Sequence, residues 1–241
     1  MILDEYVKVK NALRKVHQVI VSADVRSLGV FLAYTSCDGV LAEEGRPDVA
    51  TDINELVSKL RSSYNIRTLK NHPLVRAYRD IMWRLGIDPT KVRPSSEALV
   101  RRVLRGHPFP SINSVVDSCN MASAESLVPI SIFDHDLVKE PLTSRRARKG
   151  EIFVDFGGRE RKLRGNEVVL SDANGNILHL YPYRDSAIAA IRTNRTNCVD
   201  IVAYGAPGVP KATVLEAVRR VCAYLLRYYP NAFCSNPSLA L

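Results

Sequence analysis

The 241-residue sequence contains no CxxC pair, no HxH and no HExxH. Those absences disfavour a zinc ribbon, a thioredoxin-type centre and a metalloprotease helix, because each chemistry needs its ligands at short fixed spacings. The five cysteines (Cys37, Cys119, Cys198, Cys222 and Cys234) are widely spaced, and the expectation for each is an unpaired thiol without function. No apolar run approaches the ~18 residues a membrane-spanning helix requires. The first residues, Met1-Ile2-Leu3-Asp4-Glu5, are acidic where a signal peptide is basic, and no apolar stretch comes after them, so a cytoplasmic protein without membrane association is expected. The 13 prolines and 12 glycines are scattered, and there is no repeat or low-complexity segment. Neither a Ser-His-Asp nor a Cys-His order stands in a supporting context, which disfavours a covalent acyl-enzyme.

What is present is positive charge. Thirty-four Lys and Arg stand against 25 Asp and Glu, a formal net charge of +9. The surplus is concentrated: residues 71–110 carry net +5 and residues 206–241 net +3, while residues 111–205 are neutral. An excess of this kind favours an anionic partner, with nucleic acid ahead of a membrane surface. The basic helices are expected to carry their charge with few exposed bulky apolar residues, unlike an interfacial anchor.

The chain divides into a helical first part and a β-rich second part. Val9, Leu13, Val16 and Ile20 predict a helix over 4–20, and LGVFLAYT at 28–35 predicts a strand. Thr51 reads as the N-cap of a helix over 52–63. Pro73 opens a helix that Gly86 ends, and Ser95 caps another that Gly106 ends. Trp83, within the former, is expected in the core. A further helix runs through INSVVDSCNMAS, with Asn113, Asp117 and Asn120 spaced to share its polar face. Strands are expected at 151–156, 167–172, 177–183, 188–193 and 198–205, with turns at Gly157-Gly158 and around Gly175. Pro210 opens a long terminal helix. Helices before strands imply an α+β fold with a mixed, mainly antiparallel sheet. A single compact domain is expected, with residues 1–69 an N-terminal part and 70–241 the core.

From residue 76 onward a family pattern is legible: Arg79, Gly86-Ile87-Asp88-Pro89, Arg93-Pro94-Ser95-Ser96-Glu97-Ala98-Leu99, Arg101-Arg102, PSINSVVDSCNMAS, Phe133-Asp134, and Arg146-Ala147-Arg148-Lys149-Gly150-Glu151. This resembles the B3/B4 domain of the phenylalanyl-tRNA synthetase beta subunit, in stand-alone form, over about residues 70–230. The interval from Asn120 to Asp134 is fourteen residues, as in that family, and Tyr181-Pro182-Tyr183-Arg184-Asp185-Ser186 matches its stand-alone relatives. The resemblance implies a B3/B4-like fold and an editing role, hydrolysis of tyrosine wrongly attached to the phenylalanine tRNA. The physical need is clear, since an apolar pocket rejects an added hydroxyl only about a hundredfold, whereas a site that bonds it discriminates on the order of ten-thousandfold.

Three departures accompany the match. Ser131 stands where the family has a His, the late-strand Glu is replaced near Asp200, Ile201 or Val202, and the AGxxGG stretch is absent. The implied pocket candidates are Asn113, Asp117, Asn120, Ser131, Glu151, Arg184 and Asp200. Asn113 also reads as a plain helix N-cap, with Asp117 and Asn120 fixing nearby backbone. Arg93, Arg101, Arg102, Arg105 and Arg148 are the candidates for RNA phosphate, with a structural Arg93–Glu97 pair the alternative for Arg93. Arg148, Glu151 and Arg184 are expected to meet at one end of the sheet. Tyr181 and Tyr183 are candidates for stacking on a terminal adenine, or for packing. Any hydrolysis is expected to use bound water and no metal or cofactor. The expected partners are a tRNA acceptor end and an aminoacyl-tRNA synthetase. The alternatives are a non-catalytic RNA- or amino-acid-binding module and a small-molecule enzyme on a reused scaffold.

Overall fold

A computed structural model describes residues 14–241. Residues 1–13, and with them Val9 and Leu13, lie outside the described part. The expected helix does not extend through residues 14–20: residues 14–18 are irregular, and Val19–Val21 forms β1, parallel to β4 (Leu142–Arg146). The β-branched Val19 and Val21 are buried and Ile20 points outward, the alternation of a strand rather than the helical spacing expected.

A short α1 (Ala23–Arg26) leads to β2 (Leu32–Asp38), which starts four residues later than the sequence suggests because Gly29 turns the chain at φ +79°. Helix α2 spans Pro47–Ser63. Pro47 at its first position and Asp48 in its first turn set the start, so Thr51 lies inside the helix and donates its hydroxyl to the Pro47 carbonyl at 3.0 Å. α3 (Ile66–Asn71) and α4 (Pro73–Arg84) come next. α4 buries Val75, Tyr78, Ile81 and Met82, leaving Trp83 on the opposite face, 54% exposed rather than in the core. α5 (Ser95–Leu104) has Pro94, not Ser95, at its N-cap position, and Ser95 is its first helical residue. α6 (Ser114–Ser126) is capped by Asn113, whose side chain accepts from the Val116 amide at 3.0 Å. α7 is Lys211–Tyr228.

The strands form two main sheets. One has the order β1-β4-β7-β8-β9, with β7 at Val168–Ser171, β8 at Ile177–Leu180 and β9 at Arg184–Asp185. The other has the order β11-β2-β10-β3, with β3 at Ile130–Asp134, β10 at Cys198–Tyr204 and β11 at Phe233–Cys234; β12 (Ser238–Ala240) also pairs with β2. β5 (Ile152–Val154) and β6 (Glu160–Lys162) make a separate hairpin. Apart from β1–β4, these pairings are antiparallel, and with the seven α-helices among the described residues the architecture is α+β. α7 lies against β10 and β2, and α6 packs between α7 and α5. Gly205 is required at the end of β10, because a Cβ there would stand 2.4 Å from the Phe31 ring.

Residues 188–193 form no strand. Arg192 and Thr196 instead bond the Asp134 carboxylate, Thr196 at 2.6 Å and Arg192 at 2.9 and 3.0 Å, and that side-chain tie holds the segment as an irregular turn. Nor are all the cysteines unpaired. Cys37 and Cys234, opposite each other on β2 and β11, form a disulfide, while Cys119, Cys198 and Cys222 are buried free thiols. No described helix is long and apolar enough to cross a membrane.

Candidate functional site

The arginines of α5 do gather. Lys91, Arg93, Arg101, Arg102, Arg105 and Arg184, with His107 and Tyr183, line one groove of about 350 Å³. Glu97, on the same helix, is already engaged. Its buried carboxylate is paired with Arg79 at 2.5 and 2.8 Å and touches Arg101 at 3.5 Å, so the expected Arg93–Glu97 pair is not formed. Arg93 and Arg101 each hold a buried Nε with no partner among the described residues. Burial pulls the Arg101 guanidinium below its usual range; Glu97 opposes this, and Arg93, Arg105 and Arg79 add to it. A cluster of like charges lining one groove is a setting suited to an anionic group. Arg148 is not part of it. That residue is exposed and meets Glu151 through its backbone, its amide donating to the carboxylate at 2.6 Å and its carbonyl accepting from the Glu151 amide at 3.1 Å.

Next to this groove is a pocket of about 320 Å³ with little formal charge at its floor. Its polar lining is Ser95, Asn120, Ser123 and Asp185, with Ile130 and Leu99 among the apolar walls, and it shares Ala98, Arg102 and Tyr183 with the arginine groove. The Ser95 hydroxyl is buried without a partner among the described residues. Ser123 donates to the Val128 carbonyl at 2.7 Å.

Asp185 is the acid of this pocket. It stands on β9 beside His179 of β8 and reaches Ser131 on β3, which ties the two sheets together. Ser131 donates to Asp185 Oδ1 at 2.5 Å, and His179 Nδ1 lies 2.7 Å from that same oxygen and 2.9 Å from the Ser131 hydroxyl. A serine-protease-type triad needs serine on one imidazole nitrogen and acid on the other. Here both crowd Nδ1, while Nε2 is buried and unpartnered and the ring stacks on Tyr204 at 4.2 Å. The cluster therefore orients a carboxylate rather than activating a hydroxyl. Both bonds use Oδ1; nothing among the described residues bonds Oδ2, and the side chain is 33% exposed at the pocket.

The remaining sequence candidates scatter. Asn113 is spent as the N-cap of α6. Asp117 is buried, accepts from the Ile112 amide at 2.9 Å, and has its carboxyl pushed up to about 6 by burial. Only Asn120 of the three lines the pocket, so they do not form one polar face. Glu151 pairs with Arg145 at 2.8 and 2.9 Å and touches Arg148 through its backbone only, while Arg184 lies 3.6 Å from Asp155, so Arg184 does not join Arg148 and Glu151. Tyr181 is buried with its hydroxyl on the Gly205 carbonyl, and Tyr183 is 9% exposed with its hydroxyl held by Arg161.

Asp200 lies in a different cluster. Its carboxylate takes Ser36 at 2.6 Å, His17 Nδ1 at 2.8 Å and His135 Nδ1 at 3.0 Å, with the two imidazoles stacked 3.8 Å apart. Burial pushes this acid up, but the two imidazoles outweigh it and hold it below the usual range. His17, His135 and Asp200 are one of two described groups whose spacing could hold a metal; the other, Cys37, Cys222 and Cys234, contains the disulfide.

Comparison with known proteins identifies the family and agrees with the fold. Residues 77–230 match the family described as the B3/4 domain, and the chain belongs to that family. The phenylalanine–tRNA ligase beta subunit of Geobacter sulfurreducens is 31% identical over 128 residues, 53% of this chain and 16% of that protein. The corresponding subunit of Protochlamydia amoebophila is 39% identical over 64 residues, 26% of this chain and 8% of that protein. This chain thus spans 16% or less of the length of these relatives. In fold, it superposes on an N-terminal fragment of the phenylalanyl-tRNA synthetase beta-subunit from Pyrococcus horikoshii with a TM-score of 0.50 and 16% identity, covering 90% of this chain and 50% of that one.

Proposed function

We propose that the protein binds the aminoacyl end of a tRNA and hydrolyses a mischarged ester in trans. The observation that carries this reading is the adjacency of two cavities: a weakly charged pocket with an unspent carboxylate oxygen shares Ala98, Arg102 and Tyr183 with a groove of arginines. Phosphates of a single-stranded end would displace counterions along the arginines. The aminoacyl group would enter the pocket, with its ammonium on Asp185 Oδ2. Ser131 and His179 hold that carboxylate in place, so it needs no reorganisation when the ester arrives.

The chemistry is ester hydrolysis by water. Water attacks the acyl carbon, the bond to the ribose oxygen breaks, and the proton from water ends on that oxygen. The neighbouring ribose hydroxyl is suited to relay it, because no described histidine stands between a nucleophile and an orienting acid. The products are a free amino acid and an uncharged tRNA. The test is to incubate purified protein with tyrosyl- and phenylalanyl-tRNA and follow ester loss; no acceleration over buffer for any aminoacyl-tRNA overturns the hydrolytic part.

The placement of Ser131 favours a second reading. It stands where the family's His is expected and is spent on Asp185, which suits a module that holds the RNA end without cleaving it. Tight, salt-dependent tRNA binding without hydrolysis distinguishes this reading.

A further inference from the structure

We infer that the tip of the β5–β6 hairpin is a nucleobase subsite, taking the terminal base of the RNA whose end the proposed function places in the adjoining pocket. The inference rests on that reading and adds a third branch to it. Phe156 is 67% exposed, the most exposed of the large apolar side chains among the described residues, and stands at the rim of a third concavity of about 340 Å³. That concavity is lined by Asp155, Phe156, Gly157, Arg159, Arg184 and Asp185.

The tip that carries Phe156 is fixed. Asp155 Oδ1 accepts from the amides of Gly157 at 2.9 Å and Arg159 at 3.0 Å, and the Asp155 amide donates to the Arg159 carbonyl at 3.1 Å. Below it, Phe153 is buried, and Ala187 donates its amide to the Val154 carbonyl at 3.2 Å, seating the hairpin beside β9. A large aromatic held in water on a bonded turn, with Arg159 and Arg184 in the same concavity, is the arrangement of a stacking platform for an unpaired base. The tyrosines that the sequence offers for this role are engaged elsewhere, Tyr181 on the Gly205 carbonyl and Tyr183 with Arg161.

Position adds weight to this assignment. The third concavity shares Arg184 with the arginine groove and Asp185 with the neutral pocket. Three cavities of different chemistry therefore meet at Tyr183-Arg184-Asp185. The terminal nucleoside of an aminoacyl-tRNA branches in the same way: an aminoacyl ester on C2′ or C3′, a phosphate on C5′ and a base on C1′. The pocket, the arginines and Phe156 match those three branches in turn.

The test uses an RNA minihelix ending in CCA, with 2-aminopurine in place of the terminal adenine, titrated into the full chain. Stacking on Phe156 quenches the probe. Phe156→Tyr should keep both the quench and the affinity, whereas Phe156→Ala should lose the quench and weaken binding by about fivefold to a hundredfold. Circular dichroism checks that the variants stay folded. RNA binding by Phe156→Ala with unchanged affinity and quench overturns the subsite and leaves the proposed function standing. A loss of self-association rather than of RNA signal in that variant also overturns it, in favour of a protein contact. Failure of the unsubstituted chain to bind the minihelix at all overturns the proposed function together with the subsite.

Discussion

Two clusters in this molecule use the same side-chain types and differ in what they leave unspent. At Asp200, one serine and two histidines occupy both carboxylate oxygens, its side chain is 4% exposed, and the cavity beside it has no room for water. At Asp185, one serine and one histidine occupy a single oxygen, and the side chain is 33% exposed against a pocket of about 320 Å³. The first arrangement joins four segments of chain, at residues 17, 36, 135 and 200, around a buried charge. The second leaves an acceptor facing a space large enough for a ligand. Residue type does not separate a structural acid from a functional one; remaining hydrogen-bonding capacity and access do.

Substitution sharpens that contrast. The largest effect is expected at the closed cluster. Asp200→Ala strands two imidazoles and a serine in the interior and should cost about 3–5 kcal/mol of stability, read as a clear fall in Tm. Asp185→Asn should leave Tm nearly unchanged while reducing ester hydrolysis on the order of tenfold to a hundredfold, the worth of one charge-assisted hydrogen bond. An Asp185→Asn variant that melts early would make the two clusters alike and remove the basis for the comparison. Arg102→Ala should weaken binding of every tRNA to a similar degree and reduce the slope of log affinity against log salt by about 1.

The smallest effect concerns a third carboxylate. Burial holds Asp117 protonated up to about pH 6, against 3.8 in its unburied state. The folded chain thus binds this proton more tightly than the unfolded one. The resulting stability is fully present below 3.8 and is lost as pH rises through about 6. Asp117→Asn keeps an acceptor for the Ile112 amide and should flatten Tm between about pH 4 and 6 at this site. A melting profile as steep as that of the unsubstituted chain would contradict the placement.

Much of the scaffold was legible in the sequence. Pro73, Gly86, Asn113 and Pro210 mark helix ends by fixed backbone rules, and the apolar character of β10 shows in CVDIVAY. The charge segregation was also legible, because arginines on one face of α5 follow from spacing alone. Three things were not. Helical spacing at Val16 and Ile20 also fits a strand once Val19 and Val21 find β4 as a neighbour. The 188–193 segment has strand-like residues but is held by side-chain bonds from Arg192 and Thr196 to Asp134, 58 and 62 positions away in sequence. The pocket acid was missed because Asp185 acquires its role from Ser131 and His179 on other strands, whereas Asp200, on the expected strand, is closed off by His17 and His135. The signal for Asp185 was its place next to Arg184 within the aromatic strand, but nothing local distinguishes it from a surface acid.

If Asp185 and the arginine groove together receive an aminoacylated RNA end, the attached amino acid should add affinity that depends on Asp185. The most direct measurement compares two minihelices, one ending in a free ribose and one carrying a non-hydrolysable amide-linked amino acid, against the unsubstituted chain and Asp185→Asn. The expected result is tighter binding of the aminoacylated RNA to the unsubstituted chain, loss of that advantage in Asp185→Asn, and equal binding of the free-ended RNA by both. Equal affinity of the unsubstituted chain for the two RNAs would contradict it.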